Sequence, residues 1–373
     1  MKDPKIVFFI LKDQIAGGVS RFMANLGIGL LKIGKPADFV FLDGRSNKTC
    51  INYMNFGLND NLYAMNRPED AVDYINQYAD IVVYARPHFY DDISVHKKDP
   101  SLPKRYYDTI LKIKKPSVAF LHGTYCYTKY SPWIDVWEKT CSAFIANKPI
   151  LADLYQAERG ALDCYVIPIP IDCDKPLPTA RKDKLIVSTA RIDSLKRQFH
   201  IVHAMRNLSD WRLKMYYGEY NFFTLRALRQ IACTTNTEFN EQETAFTVRM
   251  LDEFYEHASL LYNSTHFPDG HGGGMECVTM EGAIRGAVPL LTKEWVAPWP
   301  GAPGEDACYK FDIRSTALNG TDNNLPDIIN SIDITSKDHL TRQANAYEFV
   351  RSTYSDRKVC KAFHRVLSDL AGA

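Results

Sequence analysis

The chain has 373 residues, 45 Lys and Arg against 44 Asp and Glu, a net charge of +1 and 46% hydrophobic residues. That length predicts two domains with substantial cores, and the near-neutral balance excludes a histone-like or tail-type nucleic-acid binder while leaving room for a local basic groove. Nine scattered cysteines, with no Cys-x-x-Cys pair and no Cys/His cluster at zinc spacing, suit free thiols in a reducing cytoplasm.

The opening stretch MKDPKIVFFILKDQ carries a six-residue apolar run, short for a signal peptide and far short of a membrane span. The expectation is a monomer kept inside a cell, away from membranes. Residues 5–11 (KIVFFIL) read as a buried parallel strand. The turn AGGVS follows at 16–20. A helix from Arg21 to Lys32 then places Phe22, Leu26, Leu30 and Ile33 near one face, Gly34 ends it, and ADFVFLD (37–43) is the next strand. The alternation continues with a strand at 80–85, a helix over Tyr106–Ile113, and strands at 117–122, 142–148 and 164–172. Strands alternating with helices predict a parallel sheet covered on both faces.

Cys173–Lys184 is Pro-rich, charged and aperiodic, and reads as an interdomain linker. A second series follows. Its strands are 184–190, 212–218, 259–264 and 288–292. Its helices are Phe199–Asn207, Thr247–His257 and Cys277–Arg285. An amphipathic helix over Leu340–Leu370 breaks near Ser355. The reading is α/β with two Rossmann-like domains, 1–175 and 176–349, and a C-terminal helix (350–373) returning to the first.

Three segments suggest chemistry. Gly17 and Gly18 sit between a strand and a helix, where glycine allows close backbone approach and the helix start offers unpaired N–H groups to an anion. A plain strand–helix turn explains them equally well. The pattern is neither GxGxxG nor a Walker A loop, which disfavours an NAD or P-loop site. Arg191 and Lys196 follow the strand KLIVSTA, and two fixed cations at a strand's carboxyl end suit a diphosphate. They would stabilise charge growing on a departing phosphate; the plain alternative is a solvated basic helix start.

The third segment is HGGGMECVTMEGAIRGAVPLL (271–291). A glycine run with Gly274 and Met275 precedes a helix, Glu276 and Glu281 lie at its start and along it, and Gly286 ends it. Five residues rotate a helix by about 140° beyond a full turn, so the two carboxylates need not share a face. An acidic first turn favoured by the helix dipole accounts for Glu276 and poorly for Glu281.

These elements, in this order, resemble the retaining GT-B glycosyltransferases of the sucrose-synthase and glycogen-synthase-like group. The resemblance implies two Rossmann-like domains facing across a cleft, a UDP-sugar co-substrate and no metal or other cofactor. It implies Arg191 and Lys196 on the nucleotide diphosphate, Glu281 on the ribose, and Gly17, Gly18, Gly274, Met275 and Glu276 around the donor. It also implies His122, at the end of SVAFLH, near the sugar hydroxyls. Where that group carries two glutamates eight apart, Gly273 stands eight before Glu281. The ECVTME spacing, with GVSRF and NAYEF, looks like the DNA α-glucosyltransferases of T-even bacteriophages. That branch implies duplex DNA with 5-hydroxymethylcytosine as acceptor, in a host-cell cytoplasm. It carries an aspartate after the histidine as proposed base, whereas Gly123 follows His122 here. A front-face retaining mechanism lets a donor phosphate oxygen take the acceptor proton instead.

The stretch 85–115 gathers Arg86, His88, Tyr90, Lys97, Lys98, Lys104 and Arg105. On the DNA reading these cations meet phosphates and an aromatic such as Tyr90 stacks a flipped base. Asp91, Asp92 and Asp99 dilute the patch, and a solvated charged loop is the alternative. Asp172-Cys173-Asp174 fits a metal-nucleotide D-x-D pattern, but it falls in the linker. A transferase for a saccharide, lipid-linked or protein acceptor remains open. So does a non-catalytic relative that binds nucleotide sugar or DNA.

Overall fold

The computed structural model describes residues 3–10, 18–42, 46–85, 102–123, 134–179, 182–218, 220–242, 246–264, 276–293, 304–313 and 323–372. It divides into two units, 1–170 with 356–373 and 171–355. In the first, β1 (Ile6–Ile10), β2 (Asp38–Leu42), β3 (Leu62–Met65), β4 (Ile81–Tyr84), β5 (Ser117–Leu121), β6 (Ala143–Ala146) and β7 (Cys164–Val166) form one parallel sheet in the order β3-β2-β1-β4-β5-β6-β7. Its helices are α1 (Gly18–Lys32), α2 (Ser46–Asn55), α3 (Pro68–Tyr78), α4 (Leu102–Leu111), α5 (Ile134–Thr140) and α6 (Pro149–Glu158).

In the second, β8 (Asp183–Thr189), β9 (Arg212–Tyr217), β10 (Thr237–Glu241), β11 (Ala258–Asn263), β12 (Val288–Thr292) and β13 (Tyr309–Phe311) run parallel in the order β10-β9-β8-β11-β12-β13. Its helices are α7 (Gln198–Ala204), α8 (Phe222–Ala232), α9 (Val248–Tyr255), α10 (Cys277–Ala283), α11 (Leu325–Asn330) and α12 (Lys337–Tyr354). The chain closes with α13 (Asp356–Ala371), back in the first unit.

Burial explains the strand sequences. Every residue of β1, β4, β5 and β12 is buried, because helices cover both faces of a parallel sheet, so these strands are continuous apolar runs. The run CYVIPIPID yields only the three residues of β7. Ile167 N–H still bonds Ala146 O at 2.9 Å, but Pro168 and Pro170 have no N–H to continue the ladder.

Helix α1 is buried on more than its expected face. Phe22, Leu26 and Leu30 are buried, and so are Met23, Ala24, Gly27 and Gly29. Gly27 leaves room for Phe39 and Leu58, and α13 packs on another side of α1: the Lys32 ammonium pairs with Asp356 at 2.7 Å, and Gly29 leaves room for Cys360 and Asp356. Gly34, at φ +73°, turns the chain out of α1. Among the described residues no helix is long and apolar enough to cross a membrane.

Candidate active site

In both sheets the strand order reverses beside the first strand, at β1/β4 and at β8/β11. Loops leaving the carboxyl ends of such neighbours run in opposite directions and open a crevice between them. In the second unit both candidate motifs leave from this point: Arg191 and Lys196 follow β8, and Glu276 follows β11.

Beyond β8 the chain makes a 3-10 turn over Ser194–Lys196, started by Asp193. One Asp193 oxygen accepts from Lys196 N–H at 3.0 Å, and the other accepts from Arg191 Nε. Asp193 thus fixes the relative placement of the two cations. Arg197 next adopts φ +47°, a left-handed conformation uncommon outside glycine, and its carbonyl accepts from the buried Tyr262 hydroxyl at 2.8 Å. Lys196 thus stands between the carboxyl end of β8 and the start of α7.

Lys196 meets Glu276. Its ammonium lies 2.7 Å from both carboxylate oxygens, and the side chains are 15% and 21% exposed. Glu276 is the N-cap residue of α10, yet its side chain makes no cap hydrogen bond. The carboxylate turns to Lys196 instead. Asn263, the last residue of β11, donates to Glu276 Oε2 at 3.2 Å and to Thr279 Oγ1 at 2.9 Å. Ser264 Oγ donates to Lys196 O at 3.3 Å.

Glu281 lies farther along α10 and is 5% exposed. The helix is seated tightly. A Cβ on Gly282 would overlap Leu261 and come within 3.0 Å of the Tyr255 ring. Tyr255 shares a 2.7 Å hydrogen bond with Thr189 Oγ1, and burial pushes its hydroxyl pKa up, with Glu281's charge adding to the shift. Arg285 donates to Glu281 O and to Asp252, each at 2.9 Å. Burial opposes ionisation of Asp252, but hydrogen bonds from Lys175 and Arg285 hold its pKa below the usual value.

With this geometry in view, solved structures supply the fold. A glycosyltransferase from Rickettsia africae matches at TM-score 0.70 with 13% identity, covering 99% of both chains. An α-glucosyltransferase in complex with UDP and a 13-mer DNA containing a HMU base matches at TM-score 0.71 with 12% identity over all of both chains. S. aureus TarM in complex with fondaparinux, alpha-GlcNAc-glycerol and UDP matches at TM-score 0.69 with 10% identity, over 99% of this chain and 100% of that one. The fold is GT-B. No protein-family model and no curated protein matches the sequence.

Within this GT-B fold the remaining candidates are placed as follows. His122 follows β5, and its Nε2 lies 2.6 Å from Ala85 O beyond β4. A carbonyl only accepts, so Nε2 carries the proton. The ring is wedged edge-on to Phe22 and stacked over Phe120. Gly18 opens α1, and a Cβ there would meet nothing within 4 Å among the described residues. Asp172 accepts from Asp174 N–H at 3.1 Å, an ordinary turn within the Pro-rich segment. Lys104 and Arg105 lie on α4, but their side chains are outside the description. Gly17, Arg86, His88, Tyr90, Lys97, Lys98, Gly274 and Met275 lie outside the described residues.

The structure thus joins Lys196 to Glu276, ties Arg191 to Lys196 through Asp193, and puts Glu281 on the same helix as Glu276. Sequence reasoning missed Asp193 and Asn263. The signals were present: an Asp before Ser-Leu-Lys is a helix-start residue, and Asn-Ser closes an otherwise apolar strand at a sheet's carboxyl edge.

Proposed function

We propose that this chain is a retaining glycosyltransferase that moves a sugar from a UDP-sugar to a hydroxymethyl-pyrimidine, 5-hydroxymethylcytosine foremost, in duplex DNA. The observation that carries the donor half is the meeting of Lys196 and Glu276 at the β8/β11 reversal, with Arg191 held alongside by Asp193. Arg191 grips diphosphate oxygens and Lys196 supplies a point charge. Both cations stand beside the β8/β11 reversal before the donor arrives, and they stabilise the charge that grows on the leaving phosphate. Glu281 accepts the ribose hydroxyls, and its burial strengthens the hydrogen bonds it accepts. Glu276, His122 and the 272–275 run contact the sugar. The second unit holds the donor and the first presents the acceptor, through the cations of 86–105. With Gly123 after His122, the acceptor proton passes to a donor phosphate oxygen.

The DNA half rests on the ECVTME spacing and on the full-length likeness to an α-glucosyltransferase solved with UDP and HMU-containing DNA. A saccharide-type acceptor is the second reading, supported by the likeness to TarM solved with alpha-GlcNAc-glycerol and by Gly123. Radiolabelled UDP-sugars incubated with hydroxymethylcytosine DNA and with plain DNA test the proposal. Label confined to the modified DNA is expected. Equal, negligible labelling of both removes the DNA acceptor, and UDP-sugar hydrolysis lost in Arg191→Ala retains the transferase alone.

A further inference from the structure

We infer that Glu276 stands in for the donor's diphosphate on Lys196, and that this internal ion pair makes the site favour an intact nucleotide sugar over the spent nucleotide. The inference rests on the nucleotide-sugar reading above.

Lys196 offers three N–H donors, and both oxygens of one carboxylate are within 2.7 Å of its nitrogen. A phosphate would present a similar pair of acceptor oxygens. The backbone on each side is held: Asp193 accepts from Lys196 N–H, Ser264 donates to Lys196 O, and Glu276 O accepts from Thr279 N–H at 3.0 Å. The two side chains, drawn from positions 80 residues apart, are largely withdrawn from solvent. Weak dielectric screening there makes their attraction stronger than that of an exposed pair.

A diphosphate cannot take Lys196 while an ionised Glu276 stays on it, because the two anions would lie side by side on one ammonium. The incoming donor therefore displaces the carboxylate. The displaced Glu276 needs new donors, since a withdrawn carboxylate left unpaired is costly. Asn263 Nδ2, already 3.2 Å from Oε2, supplies one. The hydroxyls of the transferred sugar supply others. UDP breaks the pair without offering those hydroxyls, so it binds against the full cost of separating Lys196 from Glu276. The same pair re-forms when UDP leaves, which aids product release.

The test measures UDP and UDP-glucose affinity by calorimetry for the parent, Glu276→Gln and Lys196→Ala, with and without Glu276→Gln in the Lys196→Ala background. Glu276→Gln is expected to bind UDP about three- to tenfold more tightly than the parent, while the preference for UDP-glucose over UDP shrinks. In the Lys196→Ala background the same substitution should leave UDP affinity unchanged. The parent should also bind UDP-glucose more tightly than UDP, a measurement that needs no variant. UDP binding that is equal or weaker in Glu276→Gln, or a parent that binds UDP as tightly as UDP-glucose, overturns the inference and leaves the nucleotide-sugar reading standing. A parent that binds neither UDP nor any UDP-sugar overturns both.

Discussion

The buried ammonium of Lys182 donates to the main-chain oxygen of Arg285 at 2.9 Å, just beyond the end of α10. It also donates to Tyr255 O and Glu256 O at 3.0 Å, at the end of α9. One side chain thus satisfies carbonyls at two helix ends, where the helix leaves its last C=O groups without partners of its own. Burial draws its pKa down to about 8, which leaves it mainly charged at neutral pH. Gln343 completes the arrangement by donating to Gly286 O at 2.7 Å, where the chain turns at φ +79°.

Lys182→Met keeps the length of the side chain and removes its donors. The expected loss is about 2–3 kcal/mol of stability, because buried carbonyls are left without partners. A shift in the urea midpoint with an unchanged slope checks it. The loosened end of α10 should also weaken UDP binding, although Lys182 would touch no ligand.

Arg191→Ala and Lys196→Ala each remove one cation proposed to face the leaving phosphate. Either should lower kcat/KM by about 10²–10³. Thermal unfolding near that of the parent would show that the loss is chemical. A loss confined to KM would argue against a role in stabilising the leaving group.

His339 supplies a pH dependence of stability. It is buried, its Nδ1 lies 3.1 Å from the Tyr309 hydroxyl, its ring stacks on Tyr309, and its Nε2 has no hydrogen-bond partner among the described residues. Burial pulls its pKa down to about 4. Unfolded histidine titrates near 6.5, so below that pH the unfolded chain binds the proton first. The contribution is intact above about pH 6.5 and is lost as pH falls toward 4, about 3 kcal/mol in all. The melting temperature of the parent should therefore fall more steeply over that window than that of His339→Phe. Parallel profiles would contradict the assignment.

Gly29→Ala tests the docking of α13 on α1. A Cβ there overlaps Cys360 Sγ and comes within 3.3 Å of Asp356 O, so either the backbone or α13 must move. Overpacking of this kind costs about 1–3 kcal/mol. Differential hydrogen exchange should show loss of protection in 356–371 ahead of the central strands.

What the sequence revealed follows from burial. Strands β1, β4, β5, β8, β11 and β12 are interior, so their apolar runs stand out and were read within a residue or two of their bounds. Strands β3, β10 and β13 left no such run. They are edge strands and only partly buried; β3 and β13 are also short, four and three residues, and β10 is polar, Thr-Glu-Phe-Asn-Glu. Helices α2, α3, α5, α6, α8 and α11 went unread as well; α2 and α3 are rich in polar residues. At the candidate site Lys196 and Glu276 could each be proposed from local pattern, because each follows a strand. Their ion pair could not, since it depends on the β8/β11 neighbourhood and on a turn started by Asp193.

The return of α13 also orders events on the ribosome. The second unit is one unbroken segment, 171–355, whereas the first lacks α13 until residues 356–371 have been made. The nascent protein can thus complete its later half first, while the earlier half waits with the outer face of α1 uncovered. Until then the apolar groups that Phe363 of α13 covers, among them Phe8 and Phe120, stand open to chaperones.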